Sequence, residues 1–194
     1  MALHIGADPL AGPSDNGGEH GLIWVRSPML FMDYVGSCDG SAALRRGEWL
    51  SVRDIGHIDA QGWLHLRGRE SRMIVTQGKN LFPEEVEARL QAHPQLGQVS
   101  LHGVADGLRG HAVHAVLQAV DEVCPMPDAL ALAQWCRATL ESFKAPRHWW
   151  LWQGPWPLTA SGKTDHAAIA RALLERTQEQ EQGGAVPRYL QPWP

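Results

Sequence analysis

The chain has 194 residues, of which 44% are hydrophobic and 20% charged, and its formal net charge is −4. This size suits one ordinary domain or two small ones, and the mixed charges argue against a nucleic-acid or anionic-membrane surface, which would need a basic patch. The three cysteines form no Cys-x-x-Cys pair, and no apolar run approaches the roughly 20 residues of a membrane span, so we expect a reduced, cytoplasmic protein.

The first part of the chain has the pattern of a small antiparallel sheet. Residues 1–20 are rich in Gly, Pro, Asp and Ser, which predicts a flexible start, and residues 36–47 have the composition of a loop. Short apolar stretches separated by turn residues predict strands at 22–25, 49–52, 55–58 and 63–66. We therefore expect residues 21–69 to form an antiparallel sheet or a fragment of a β-barrel.

From residue 70 onward, helical and strand patterns alternate. Pro83, followed by acidic residues, predicts the start of a helix, and Asp165 is placed to cap another one. The predicted strands lie at 73–76, 98–104, 111–120 and 147–152, and the predicted helices at 83–92, 128–140 and 165–176. Residues 70–173 therefore predict a small α+β domain, followed by a flexible tail at 174–194.

The first segment with chemical potential is 49–59, where Asp54 stands between two apolar strand pieces. A carboxylate in this position could accept hydrogen bonds from a ribose diol. The ordinary alternative is a turn aspartate that accepts hydrogen bonds from nearby backbone amides.

The second segment, 68–87, contains an arginine and a glycine turn before the helix that Pro83 opens. The Arg69 guanidinium offers a fork of donors for a phosphate or ribose oxygen. Gly78 and Asn80 tolerate left-handed turn geometry and leave room for a ligand near the backbone. A plain strand–turn–helix with a surface arginine is the alternative.

The third segment, 157–165, is a loop of small residues that presents Lys163 just before a helix. A flexible ammonium there could reach an α-phosphate and neutralise the charge that grows as a carboxylate attacks it. The spacing of a P-loop is missing. An ordinary exposed loop is the alternative.

Together and in this order, the three segments resemble the late motifs of the adenylate-forming (AMP-binding) superfamily: acyl- and aryl-CoA synthetases, luciferases and peptide-synthetase adenylation domains. The resemblance covers about residues 21–173, and residues 78–87 are most similar to the acyl-CoA synthetase version. It implies that residues 70–173 form the three-layer α/β lid at the carboxyl end of such an enzyme, and residues 21–69 a β-barrel fragment of its larger amino-terminal domain.

The resemblance also implies roles for the matched residues. Asp54 and Arg69 would bind the nucleotide, Lys163 would promote adenylation, and Ser71 would lie at the hinge. The loop that approaches CoA during thioester formation would contain Gly78, Lys79 and Asn80. The co-substrates implied are ATP with Mg²⁺, CoA and a small carboxylic acid, with no metal bound by this chain itself.

Several positions depart from the family pattern. Val52-Arg53 stands where Thr-Gly is usual, Ser71 where Asp or Lys is common, and Ile74-Val75 in place of Ile-Lys. His166 replaces an arginine that is often found three residues after the lysine.

The chain also has no segment resembling the Ser/Thr/Gly-rich loop that wraps the ATP phosphates, or the segments that bind adenine and the acid. We expect the chain to be inactive in adenylation alone and to work with an amino-terminal adenylating domain, in the same or a separate chain. The alternatives are a catalytically incompetent split or remnant lid that docks on a partner, and an adenylation domain that loads a carrier protein.

Overall fold

The structure, a computed structural model, describes residues 1–10, 20–31, 44–121, 126–182 and 190–193. These form two compact units, Met1–Met73 and Ile74–Pro194. The predicted division between residues 69 and 70 lies close to this boundary. Among the described residues, no helix is long and apolar enough to cross a membrane.

The first unit contains an antiparallel sheet. Its strands run in the order β3-β4-β2-β5-β6, with β1 paired to β2, and every pairing between them is antiparallel. The predicted antiparallel sheet is therefore confirmed, whereas its place in a barrel stays a prediction. The strands are β1 (Ala2–Ile5), β2 (Gly21–Arg26), β3 (Leu44–Arg46), β4 (Trp49–Ser51), β5 (Asp54–Ile58) and β6 (Leu64–Arg69).

The start of the chain differs from the prediction. Strand β1 pairs with β2 along its whole length, Ile5 is buried, and the Trp24 indole donates a hydrogen bond to the Gly6 carbonyl at 2.9 Å. The prediction of a flexible start was wrong for these residues, because the turn-rich composition of the following residues masked a short apolar strand. Residues 11–19, and residues 36–43 of the predicted loop at 36–47, lie outside the described residues. The loop prediction was wrong for Leu44–Arg46, which form β3 because β4 supplies their hydrogen bonds.

The second unit combines a mixed sheet with helices. The sheet order is β12-β11-β10-β7-β8, with β9 paired to β10; β10 and β11 are parallel and the other pairings are antiparallel. The elements are β7 (Ile74–Thr76), β8 (Lys79–Leu81), α1 (Pro83–Gln91), β9 (Leu96–Asp106), β10 (Gly110–Ala119), α2 (Ala129–Arg137), β11 (His148–Trp152), α3 (His166–Gln182) and β12 (Leu190–Pro192).

The helix starts follow local sequence signals. Pro83 opens α1, and the Asp128 and Asp165 carboxylates accept hydrogen bonds from the backbone N–H of Ala131 at 2.7 Å and of Ala168 at 2.9 Å. These three predicted starts are confirmed. The predicted flexible tail was wrong in two places, since α3 continues to residue 182 and β12 pairs with β11.

Alternation along β10 divides the core of the second unit. Val113, Ala115 and Leu117 pack in a cluster with apolar residues of α1 and α2. Val116 packs instead with Ile169 and other apolar residues of α3. Because successive side chains of a strand point to opposite faces, α1 and α2 cover one face of β10 and α3 covers the other.

Candidate functional site

Asp54 and Arg69 face each other across β5 and β6. Asp54 begins β5, Arg69 ends β6, and the two residues are paired in register. Arg69 Nε lies 3.2 Å from Asp54 Oδ1, and the two side chains are 62% and 30% exposed, respectively. A partly solvated ion pair of this kind contributes at most about 1 kcal/mol. Both predicted nucleotide residues are therefore brought together, and a ligand could exchange with either partner.

A second ion pair lies beside the first and was missed by the sequence analysis. Arg53 Nε is 3.2 Å from a Glu70 carboxylate oxygen, and the Glu70 N–H donates to the Arg53 carbonyl at 2.9 Å. Arg53 has a φ of 68°, in the left-handed region that glycine enters without strain. At this departure from Thr-Gly, Arg53 adopts the left-handed turn conformation and its side chain lies beside the Glu70 carboxylate.

Ser71 lies in a short 3₁₀ turn, Glu70–Arg72, between β6 and β7. Its side chain is exposed, and the turn is closed by a hydrogen bond from the Met73 N–H to the Glu70 carbonyl at 3.2 Å. The predicted hinge residue thus stands immediately before the boundary between the two units.

Gly78 belongs to a two-residue hairpin turn that joins β7 to β8. Gln77 and Gly78 have φ values of 53° and 73°, and Thr76 pairs with Lys79 across the turn. Positive φ at both central residues is the geometry of a type I′ hairpin. A Cβ added to Gly78 would meet nothing within 4 Å, so the glycine serves the backbone conformation while its surroundings stay open.

The turn at Gly78 was predicted from the sequence but β8 was not, since three residues give too short a pattern. The exposed residues Lys79 and Asn80 begin that strand. Lys79 Nζ lies 4.6 Å from the centroid of the Phe143 ring, a cation–π contact. The adjacent Lys144 is buried, and its ammonium binds the Glu85 carboxylate of α1 at 2.8 Å. The hairpin is therefore supported by the turn at 142–144, which α1 holds through Lys144.

Lys163 is exposed on a loop that is closed by its own hydrogen bonds. The Thr159 N–H donates to the Lys163 carbonyl at 2.7 Å, and the Lys163 N–H donates to the Thr159 hydroxyl at 3.2 Å. The Asp165 N–H donates to the Pro157 carbonyl at 2.9 Å, and the Trp156 indole donates to the Thr164 hydroxyl at 3.2 Å. The loop therefore presents one solvated ammonium from an ordered backbone at the start of α3.

The candidate residues fall into separate groups. Asp54 and Arg69 form one group in the first unit, while Lys163 and the Gly78 hairpin occupy different elements of the second. In the described part of the chain, no group of three or more His, Cys, Asp or Glu residues could hold a metal ion. The geometry supplies groups that can bind a polar ligand and neutralise negative charge.

One buried histidine of the sheet, His114, has a strongly lowered pKa. Burial lowers the pKa of His114 to about 3, and the neighbouring His148 imidazole contributes to that lowering. The ring of His114 accepts a hydrogen bond from the Trp150 indole at 3.0 Å. His114 is therefore a neutral core residue, in agreement with the sheet position predicted for it.

Comparison with known proteins identifies the second unit. Residues 85–163 match the family described as AMP-binding enzyme C-terminal domain. An uncharacterised acyl–CoA ligase of Bacillus subtilis is 37% identical over 161 residues, which are 83% of this chain and 31% of that protein. The chain thus spans about a third of the length of this curated relative.

Solved structures extend the match to both units. An amide bond synthetase from Marinactinospora thermotolerans superposes with a TM-score of 0.74 and 30% identity, over 89% of this chain and 34% of that one. The o-succinylbenzoate CoA synthetase of Bacillus subtilis, solved with its acyl-adenylate intermediate, gives a TM-score of 0.72 and 25% identity, over 86% of this chain and 33% of that one.

Proposed function

We propose that this chain supplies the carboxy-terminal part of an AMP-forming acid–CoA ligase, because it belongs to the adenylate-forming (AMP-binding) superfamily and carries its C-terminal domain. The reaction converts a carboxylic acid, ATP and CoA into an acyl-CoA, AMP and pyrophosphate. The observation that carries this proposal is Lys163, an exposed ammonium held on an ordered loop inside the matched domain.

In the first half-reaction, the carboxylate attacks the α-phosphate of ATP, and pyrophosphate leaves. Negative charge grows on the oxygens at the reacting phosphorus, and Lys163 is proposed to neutralise it. Because the loop backbone is already hydrogen-bonded, little ordering is required when the ammonium meets the phosphate.

The nucleotide is held from the first unit. The Asp54 carboxylate is an acceptor for ribose hydroxyls, and Arg69 is a donor for nucleotide oxygens. Their mutual ion pair keeps both side chains aligned before the ligand arrives, and its partial exposure leaves it open to exchange.

In the second half-reaction, the CoA thiol attacks the acyl-adenylate carbonyl, and AMP leaves. We assign the Gly78 hairpin to this step, because its glycine leaves open space beside a rigid turn. Rotation at Ser71 would withdraw Lys163 and bring in the hairpin with Lys79 and Asn80. In this proposal the second unit, with helices on both faces of its sheet, is the three-layer lid.

The proposed partner is the amino-terminal adenylating domain, in the same or a separate chain. Leu64 and Leu66, two residues apart on β6 and therefore on the same face of the strand, are 41% and 69% exposed, and Trp63 just before the strand is 71% exposed. Apolar side chains grouped on one strand are typical of a surface that packs on another protein segment. Mg²⁺ would arrive bound to the phosphates of ATP.

Replacing Lys163 tests the proposal in a chain completed with the ATP- and acid-binding segments of a relative. Lys163→Ala should slow acid-dependent pyrophosphate exchange by about 10²–10³, the usual worth of such an electrostatic group, and spare thioester formation from a supplied acyl-adenylate. Arg137→Ala removes an exposed charge from α2 of the same unit and is the matched control. Equal exchange rates in the Lys163 variant and the parent would contradict the proposal.

The acceptor is tested separately. One structural neighbour is named an amide bond synthetase and another a CoA synthetase. We propose CoA, because residues 78–87 are most similar to the acyl-CoA synthetase version. Transfer to CoA, with no transfer to an amine or a carrier-protein thiol under the same conditions, is the expected result.

A further inference from the structure

A buried serine joins two histidines at the base of the Lys163 loop. Ser100 lies in β9 and is fully buried. Its hydroxyl oxygen is 2.8 Å from His102 Nε2 and 2.8 Å from His166 Nδ1. His166 is the first residue of α3 and follows Lys163 closely in sequence.

The chemistry of this cluster makes it a specific link. A hydroxyl has one proton, so it can donate to only one of the two imidazoles, and the other imidazole must donate its own N–H to the oxygen. At least one of the two rings is therefore protonated at the nitrogen that faces the serine oxygen. Because the hydroxyl is buried, loss of either bond leaves a polar group without water to replace it.

The position of the cluster connects it to the loop. Val99 and Leu101 on β9 pack in the cluster of α1 and α2, so Ser100 and His102 point to the opposite face, toward α3. Asp165, directly before His166, caps α3 and closes the loop through the Pro157 carbonyl. A shift at residue 166 is therefore transmitted to the loop backbone.

We propose that Ser100, His102 and His166 form a positioning device for Lys163, a role that rests on the proposed function of that lysine. The bridge ties the first turn of α3 to β9 and limits the distance over which the Lys163 loop can move. His166 takes the place of an arginine often found in the family, so this link belongs to the particular sequence of this chain.

Hydrogen exchange in the 194-residue chain tests the positioning itself. Ser100→Ala and His166→Ala should each speed exchange of the Lys163 and Asp165 amides about tenfold, the effect of one lost hydrogen bond. The double variant should exchange no faster than either single one, because both changes remove the same bond. His166→Asn keeps a polar atom near the Nδ1 position and should restore most of the protection.

The β7–β8 hairpin amides are the internal reference and should keep the parent rate. Unchanged exchange at Lys163 and Asp165, additive effects in the double variant, or equal acceleration at the hairpin would each overturn the inference.

The catalytic consequence is measured in the completed enzyme. Ser100→Ala should lower kcat for pyrophosphate exchange about tenfold, leave KM for ATP unchanged and spare thioester formation. Parent-like exchange turnover in Ser100→Ala, while Lys163→Ala is inactive, would overturn the positioning role. If Lys163→Ala itself keeps full activity, the proposed function fails, and amide exchange alone then decides whether the serine bridge holds the loop.

Discussion

In the first unit, the buried apolar side chains among the described residues are Ile5, Ile23, Trp24 and Leu50. In the second, two clusters cover both faces of β10 with helices. The first unit has a thin core and exposes Trp63 and Leu66, whereas the second unit packs helices on both faces of its sheet. This difference teaches that the second unit buries a core of its own, while the ion pair of Asp54 and Arg69 stands in a unit that buries few apolar side chains.

The largest effect is expected from shortening a core residue of the second unit. Leu132 on α2 is 0% exposed, and Leu132→Ala should lower the free energy of unfolding by about 2–5 kcal/mol. Leu130 on the same helix is 65% exposed, and Leu130→Ala should stay within about 0.5 kcal/mol of the parent. Urea unfolding followed by fluorescence measures both, and similar losses in the two variants would break the comparison.

Acid should destabilise the second unit through its buried neutral histidine, His114. The pKa of His114 is lowered to about 3 by burial and by His148, whereas the unfolded chain keeps the ordinary value of about 6.5. Between these values the unfolded state binds the proton and the folded state does not, so stability falls as pH drops from about 6.5 toward 3.

The matched variant is His114→Asn, which keeps an acceptor near the Trp150 indole but does not titrate. The free energy of unfolding of this variant should depend less on pH over this window. In the parent, His114 lowers the free energy of unfolding by up to about 1.4 kcal/mol for each pH unit. Unfolding curves at pH 7, 5 and 4 provide the measurement. An equal pH slope in the variant and the parent would contradict the assignment.

The ion pair of Asp54 and Arg69 should matter for binding of ATP more than for folding. Arg69→Gln removes a partly solvated ion pair and should change the free energy of unfolding by less than about 1 kcal/mol. In the completed enzyme it should raise KM for ATP roughly tenfold or more, since charge-assisted hydrogen bonds to the nucleotide are lost. Arg46→Gln, an exposed change on β3, is the control, and an unaltered KM for Arg69→Gln would contradict the assignment.

The smallest effect on stability is expected at the exposed strand of the first unit. Leu66→Thr replaces an exposed leucine by a residue that favours strands, so the unfolding of the chain alone should change by no more than about 0.5 kcal/mol. The same variant should weaken association with separately supplied amino-terminal segments, measured by calorimetry. Unchanged association would show that β6 is not the docking surface.

Local signals in the sequence were enough to predict the helix starts. Pro83, Asp128 and Asp165 act on the backbone within one turn, so their effect can be read without knowing the rest of the fold. Strands β1, β3, β8 and β12 were missed, because strands of three or four residues form only when a neighbour supplies their hydrogen bonds.

The candidate site was predictable residue by residue but not as an arrangement. Asp54 and Arg69 were each found through the family resemblance, yet their mutual ion pair depends on the register of β5 and β6. The bridge from Ser100 to His166 joins residues 66 positions apart, and no local pattern signals it. The left-handed Arg53 could be suspected from the Thr-Gly pattern of the family, but its ion pair with Glu70 could not.

In the proposed function, this chain supplies groups to a reaction whose main site lies in further segments. Acid-dependent pyrophosphate exchange, measured on the purified 194-residue chain and again after the ATP- and acid-binding segments of a relative are supplied, tests it most directly. We predict no exchange above background for the chain alone and exchange that depends on Lys163 in the completed enzyme. Turnover by the chain alone would contradict the claim.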